Sequence, residues 1–309
     1  MNYAVWVPLL LPLLAVPAAL RLAEALPPRV AAWLLAGSAV VLAACSTAAL
    51  VLLAGAGALM LPPVAALGHL VLPVVGDQVT GPAACVAAAL LTAVIWALVR
   101  TVRGHVLLAA RARRVAEAAG TEAGDLTVLQ DPGPDAYALP GRPGRIVVTS
   151  GMLQALDPAE REALLAHERA HLAGRHHVFL TALALACAAH PALRPLRGPL
   201  SYALERWADE SAAAAVGDRR LAARAIGHAA LASRPTPLRP HAAALSATTG
   251  PVPRRVAALL TPPHPLTSSR TPHVIALVLA ACLTLSTACA LEAAHDLHGS
   301  IEIAQGDHP

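Results

Sequence analysis

Long uncharged runs dominate the hydrophobic pattern and predict membrane spans. Tyr3 to Leu20 is apolar throughout, interrupted only by Pro8, Pro12 and Pro17, with no charge before Arg21. It lacks the basic start of a secretory signal and reads as a first span. Val30 to Leu61 is long enough to cross with tilt, Ala83 to Val99 is a third span, and Val274 to Leu291 a fourth. Val178 to Ala189 is apolar too. Twelve residues before His190-Pro191 are short for a crossing, so this stretch predicts a buried core helix or a membrane-surface segment.

Between the third and fourth spans the pattern changes period. Val106 to Ala119 is amphipathic and Arg-rich, as expected of a helix at a membrane surface. Leu126 to Leu129 reads as a strand, followed by a turn at Asp131-Pro132-Gly133-Pro134. Ala136–Leu139 and Arg145–Thr149 flank Pro140 to Gly144 and predict a hairpin, whose edge can receive an extended peptide. Helices follow from Asp157 and from about Pro199 to Val216. The Pro-rich stretch Ser233 to Arg270 predicts loops with a short helix near Arg254 to Leu260.

Composition agrees with a membrane protein: 309 residues, 56% hydrophobic and 14% charged, against about 25% charged in soluble domains. All basic residues are Arg. The net charge of +4 does not imply nucleic acid, because the Arg residues are dispersed without interleaved aromatics. Arg21 and Arg29 lie in the first loop, and Arg100, Arg103, Arg111, Arg113 and Arg114 follow the third span. Pro62 to Gly81 and the tail after Leu291 hold no basic residue. The positive-inside rule therefore predicts both termini outside and residues 104–270 in the cytoplasm. A fifth span at 178–189 would separate the motifs described next.

The first motif is His167-Glu168-Arg169-Ala170-His171. On a helix, positions i and i+4 share a face, so His167 and His171 can present two imidazoles to one metal ion, with Glu168 beside them as a general base. Asp157 as N-cap, Pro158 in the first turn, Glu160 at capping-box spacing and Gly174 as a stop frame that helix. The second motif, Glu205-Arg206-Trp207-Ala208-Asp209, follows 34 residues after His171. Glu205 is the candidate third ligand, and Asp209, one turn on, the candidate acid behind a ligand His. His228, His241, Arg254 and Arg255 are oxyanion candidates by type, more often solvated or structural. His176 and His177 lie beyond the expected helix end and are set aside. Cys45, Cys85, Cys187, Cys282 and Cys289 read as small apolar-segment residues, none at metal-ligand spacing.

Ala136-Tyr137-Ala138, Ile146 to Gly151, Ala163 to His171 and Glu205 to Asp209 together resemble the BlaR/MecR-type membrane metallopeptidases and, more distantly, the HtpX-like membrane proteases. The resemblance implies zinc on His167, His171 and Glu205, Glu168 as general base and Asp209 as the supporting acid. It also implies a regulatory antirepressor that cleaves a BlaI-like winged-helix repressor. Only 18 residues follow the fourth span, so the extracellular penicillin-sensing domain of the antibiotic receptors is not expected.

The resulting expectation is an α-helical membrane protein with four transmembrane helices and a cytoplasmic α+β zincin-like (gluzincin) metalloprotease domain. Residues 1–103 form the membrane domain (spans at about 3–20, 30–61 and 83–99). Residues 104–270 form the peptidase domain, 271–291 the fourth helix and 292–309 an extracellular tail. One Zn2+ per chain is the expected cofactor, and the plasma membrane the expected location. The partners are the lipid bilayer and a protein substrate, a BlaI-like repressor or the chain itself, with no direct nucleic-acid contact. The alternatives are a non-catalytic signalling module on the same fold and a quality-control protease.

Overall fold

The computed structural model describes residues 3–69, 80–233, 252–261 and 270–305. A 3-10 helix at Tyr3–Trp6 leads into α1 (Val7–Leu10) and α2 (Pro12–Glu24). The axis bends by 42° at this junction, because Pro12 offers no N–H to continue the helical ladder. α3 (Pro28–Ala58) starts at a proline, where the missing donor costs nothing. α4 (Pro62–Leu67) follows. α5 (Thr80–Ala119) is one 40-residue helix. It joins the expected third span to the expected surface helix without a break, and so runs through the boundary at residue 103. Nothing between Val99 and Val106 interrupts a helix: the stretch holds two Arg and a lone Gly104, whose cost is about 1 kcal/mol.

Four strands then form one sheet: β1 (Gly120–Ala123), β2 (Leu126–Leu129), β3 (Ala136–Leu139) and β4 (Arg145–Thr149), in the order β1-β2-β4-β3. β2 runs parallel to β4, and the other neighbours are antiparallel. The hairpin is present as expected. Asp135 O accepts from Thr149 N, so alternation turns the main-chain groups of Ala136 and Ala138 toward the open edge.

α6 (Ser150–Ala155) precedes α7 (Pro158–Ala173), whose capping box is complete: Asp157 Oδ1 accepts from Glu160 N at 2.8 Å, and Glu160 Oε2 accepts from Asp157 N. α8 (His176–Ala189) departs at 54° from α7 through Arg175, which adopts a left-handed conformation. Phe179, Leu183, Ala186 and Cys187 of α8 enter the same core as Leu35, Leu42 and Leu279 of the apolar helices. A 3-10 helix at Pro191–Leu196 turns the chain back into α9 (Arg197–Val216). The short apolar stretch is thus a helix whose buried face enters the core of the bundle, and the chain returns from it so that the two motifs meet. α10 (Arg219–Ala232), α11 (Val252–Leu260) and α12 (Arg270–Gln305) complete the described chain.

By length and composition α3, α5 and α12 are each able to cross a membrane, and up to five spans result if the two bent pairs are each one span. The described chain is therefore mostly helical, with several apolar helices and one small sheet. α12 continues well past Leu291, so residues 292–305 are helix rather than an irregular tail. Gln305 Nε2 donates to Gly68 O at 2.8 Å, which puts the end of α12 beside the segment that follows α4.

Candidate metal centre

α7 and α9 pack face to face and bring the two motifs together. His167 Nε2 and His171 Nε2 lie 3.1 Å apart. Each is 3.6 Å from a Glu205 oxygen, His167 from Oε2 and His171 from Oε1. Four-coordinate zinc with ligands at about 2.0–2.1 Å needs donor separations of about 3.3 Å. The three donors converge on such a point, and among the described residues this is the group able to hold a metal ion. Two imidazole nitrogens 3.1 Å apart, both facing the buried Glu205 carboxylate, offer three donor atoms to one cation. The donor set therefore fits a divalent ion of the zinc class.

The surroundings fix each ligand. His167 Nδ1 lies 3.1 Å from Asp209 Oδ1, with Asp209 fully buried. An imidazole held this way presents its Nε2 outward. His171 is backed differently: its Nδ1 is 2.7 Å from His176 Nδ1. His176 is buried and its ring packs 4.6 Å from the Trp207 ring. Arg255 of α11 is 1% exposed. It donates to both oxygens of Asp209 (Nε at 2.8 Å and Nη2 at 2.6 Å) and pairs with Glu205 Oε2 through Nη1 at 2.8 Å.

The charges follow from these contacts. Burial works against charge on His167, but Asp209 and Glu205 overcome it and hold the ring protonated up to about 10. That proton occupies the negative pocket that a metal ion would fill. Burial and the neighbouring His167 push His171 down to about 3, so it stays a neutral donor. Glu205 and Asp209 resist the upward push of burial and are held below the ordinary carboxylate range by His167 and Arg255. Glu168 goes the other way. Burial, helped by Glu205 and Asp135, raises it to about 7 against the pull of His167 and of the Ala138 N–H it accepts from. A carboxylate poised there can both take and release a proton near neutrality. Beside Glu168 and His167 opens a cavity of about 40 Å³, lined in part by Met152, Leu164, Ile226 and Ala229.

Residues 106–192 match the family model described as Peptidase family M48. The segment is similar to an M48 peptidase domain. It carries His167, Glu168 and His171 and ends before Glu205. Over 68 residues the chain is 46% identical to a protein of Arabidopsis thaliana named Plastoglobule-localized metallopeptidase 48, chloroplastic. That alignment covers 21% of this chain and 20% of the relative, so the chain spans about a fifth of the length of the curated relative it matches. No solved structure matches the chain. These matches stand at the level of M48 metallopeptidases and do not reach the BlaR/MecR or HtpX-like types.

Two residues around the candidate site are weakly signalled in the sequence. Arg255 ranked only as an oxyanion candidate by type. Its signal was positional: Val252, Arg255, Val256 and Leu259 share one helical face, and a lone Arg on an apolar face needs a buried anion. His176 was set aside because the helix stops at Gly174. It does stop, but the next helix begins at His176 and departs at 54°, which leaves the His176 ring against His171. His177 is half-buried. His228 is exposed and pairs with Glu160 at 2.8 Å, at the start of α7. Arg254 lies over the Tyr202 ring at 4.8 Å, and His241 falls outside the described residues.

Gly174 is what lets His176 reach its place. Its φ of −75° suits any residue, but a Cβ there would meet His176 Nε2 at 2.5 Å and Cδ2 at 2.7 Å. Gly174→Ala is therefore expected to push His176 off His171. Losing such an outer partner weakens metal binding about 10–100-fold, as a chelator-competition titration would register. Parent-like affinity in both Gly174→Ala and His176→Ala would show that His176 does not orient His171.

Proposed function

We propose that the chain is an integral-membrane, zinc-dependent endopeptidase that cleaves a protein at the cytoplasmic face. The observation that carries this reading is the convergence of His167, His171 and Glu205, with the buried Glu168 beside them at the β3 edge. His167, His171 and Glu205 hold the ion, and Asp209 and His176 orient the two imidazoles. When bound, zinc supplies Lewis acidity at the scissile carbonyl and lowers the pKa of a water. Glu168 takes the proton of the attacking water and passes it to the leaving nitrogen, a role its raised pKa suits. The outward main-chain groups of Ala136 and the Ala138 carbonyl can pair with an extended substrate strand, and the small cavity suits a small apolar side chain.

The arrangement of Arg along the chain supports a cytoplasmic site, and the Gln305–Gly68 contact supports placing the segment after α3 on the same side as the end of α12. Within that topology the chain is a regulatory antirepressor whose substrate is a BlaI-like repressor or the chain itself. Reporter fusions at Gly81 and after Gln305 are expected to read as external, and at Gly120 as cytoplasmic. Immunoblots of a co-expressed tagged winged-helix repressor are expected to show cleavage that depends on the intact site. A cytoplasmic readout from the Gln305 fusion contradicts the topology. An uncut repressor alongside cleavage of misfolded membrane proteins would favour quality control.

A further inference from the structure

A second cavity, of about 990 Å³, lies between the end of α2, the start of α3 and the start of α9. Its wall is divided. Leu20, Ala23, Leu26 and Ala31 give an apolar half, while Arg197, Arg206, Arg254 and Tyr202 give a basic half. Glu24 is the one carboxylate among the described lining residues. Arg206 carries surplus charge. Its Nη2 donates to Glu210 Oε1 at 2.9 Å, but Arg219 already bonds both oxygens of Glu210. Two cations share one anion, and the Arg206 Nε is buried with no hydrogen-bond partner.

We propose that this cavity seats an anionic membrane phospholipid, its phosphate on Arg197, Arg206 and Arg254 and its first acyl carbons against α2 and α3. The apolar half is built from helices of the membrane bundle, at the level where α2 ends and α3 begins. That is where headgroups lie, and Arg21 and Arg29 flank the same end. A hydrocarbon-bearing anion satisfies both halves at once; a free anion leaves the apolar half wet, and a zwitterion brings a cation to the arginines. The seat also has a consequence for the metal centre. α9 presents Tyr202 and Arg206 to the cavity and Glu205 and Asp209 to the cluster. α11 likewise presents Arg254 to the cavity and Arg255 to the cluster. A bound phosphate therefore braces the two helices whose contact holds Asp209 and Glu205.

The inference rests on the membrane reading and not on hydrolysis, so its test reads lipid retention. The full chain, purified in a neutral maltoside detergent, is titrated with dioleoyl phosphatidylglycerol or dioleoyl phosphatidylcholine and followed by native mass spectrometry. The parent is expected to retain phosphatidylglycerol selectively. The attraction of a basic group to an anionic surface corresponds to roughly fivefold per arginine. Arg206→Gln with Arg254→Gln should therefore lower retention about 25-fold. Because Arg206 also bonds Glu210, Arg197→Gln with Arg254→Gln provides an independent pair with the same expected loss. Inorganic phosphate at millimolar concentration should leave the lipid bound. Equal retention of the two lipids, parent-like retention by both variant pairs, or displacement by inorganic phosphate would each overturn the proposal. Selective retention supports it whether or not the protein cuts a peptide bond.

Discussion

Glu168→Gln is expected to stop peptide hydrolysis while leaving the metal in place. The amide keeps the size of the carboxylate but cannot accept a proton. General-base catalysis contributes about 10²–10⁴-fold. The loss should sit near the upper end, because the same group also delivers the proton to the leaving nitrogen. Glu168 is not among the three converging donors, so zinc content should equal that of the parent. Its burial gives a further expectation. At 2% exposure, the carboxylate is costly to keep ionised, and its neutral replacement should leave the fold as stable as before or more so. The comparison is kcat/KM on a cleaved substrate against metal content and thermal unfolding of the same samples. Parent-like turnover by Glu168→Gln would remove it as the base and shift the function toward binding.

Arg255→Met should destabilise the fold more than a typical single substitution. The guanidinium is, beside the protonated His167 ring, one of two cations facing the buried carboxylates Asp209 and Glu205, and it is the one that bonds both Asp209 oxygens. Removing one partner of a buried ion pair costs about 3–5 kcal/mol, because the remaining charge stays buried without compensation. Met preserves much of the volume, so the loss reports charge rather than a cavity. Arg255→Lys should recover only part of it, since an ammonium cannot bond both Asp209 oxygens as the planar fork does. Saturating zinc should offset part of the Met defect by neutralising Glu205, but not the part due to Asp209. Denaturant unfolding with and without zinc separates the two. An Arg255→Met protein that unfolds like the parent under both conditions would mean the clamp has no structural weight.

Local features of the fold are legible in the sequence, and long-range contacts less so. The capping box at Asp157 and Glu160, the i, i+4 pairs of both motifs and the β3–β4 hairpin involve residues a few positions apart. Their spacing alone sets their geometry. β1 is not legible because Gly120-Thr121-Glu122-Ala123 has little strand propensity and pairs only through β2. α5 was divided because a change from apolar to Arg-rich composition looks like a boundary, although charge alone does not end a helix. Arg255 meets Asp209 across 46 positions, and no local period announces such a contact. The direction of α8 depended on Arg175 taking a left-handed conformation, which L residues other than Asn and Asp seldom signal.

The convergence of His167, His171 and Glu205 on one ion is the central claim, and metal content tests it most directly. Parent protein purified without added metal and dialysed against a mild chelator should retain about one zinc per chain by elemental analysis. His167→Ala and His171→Ala should retain none, Glu205→Gln only a small fraction, and Glu168→Gln the full amount. Zinc retained by Glu205→Gln at the parent level would contradict the assignment of the third ligand, and a parent that binds no zinc would contradict the site as a whole.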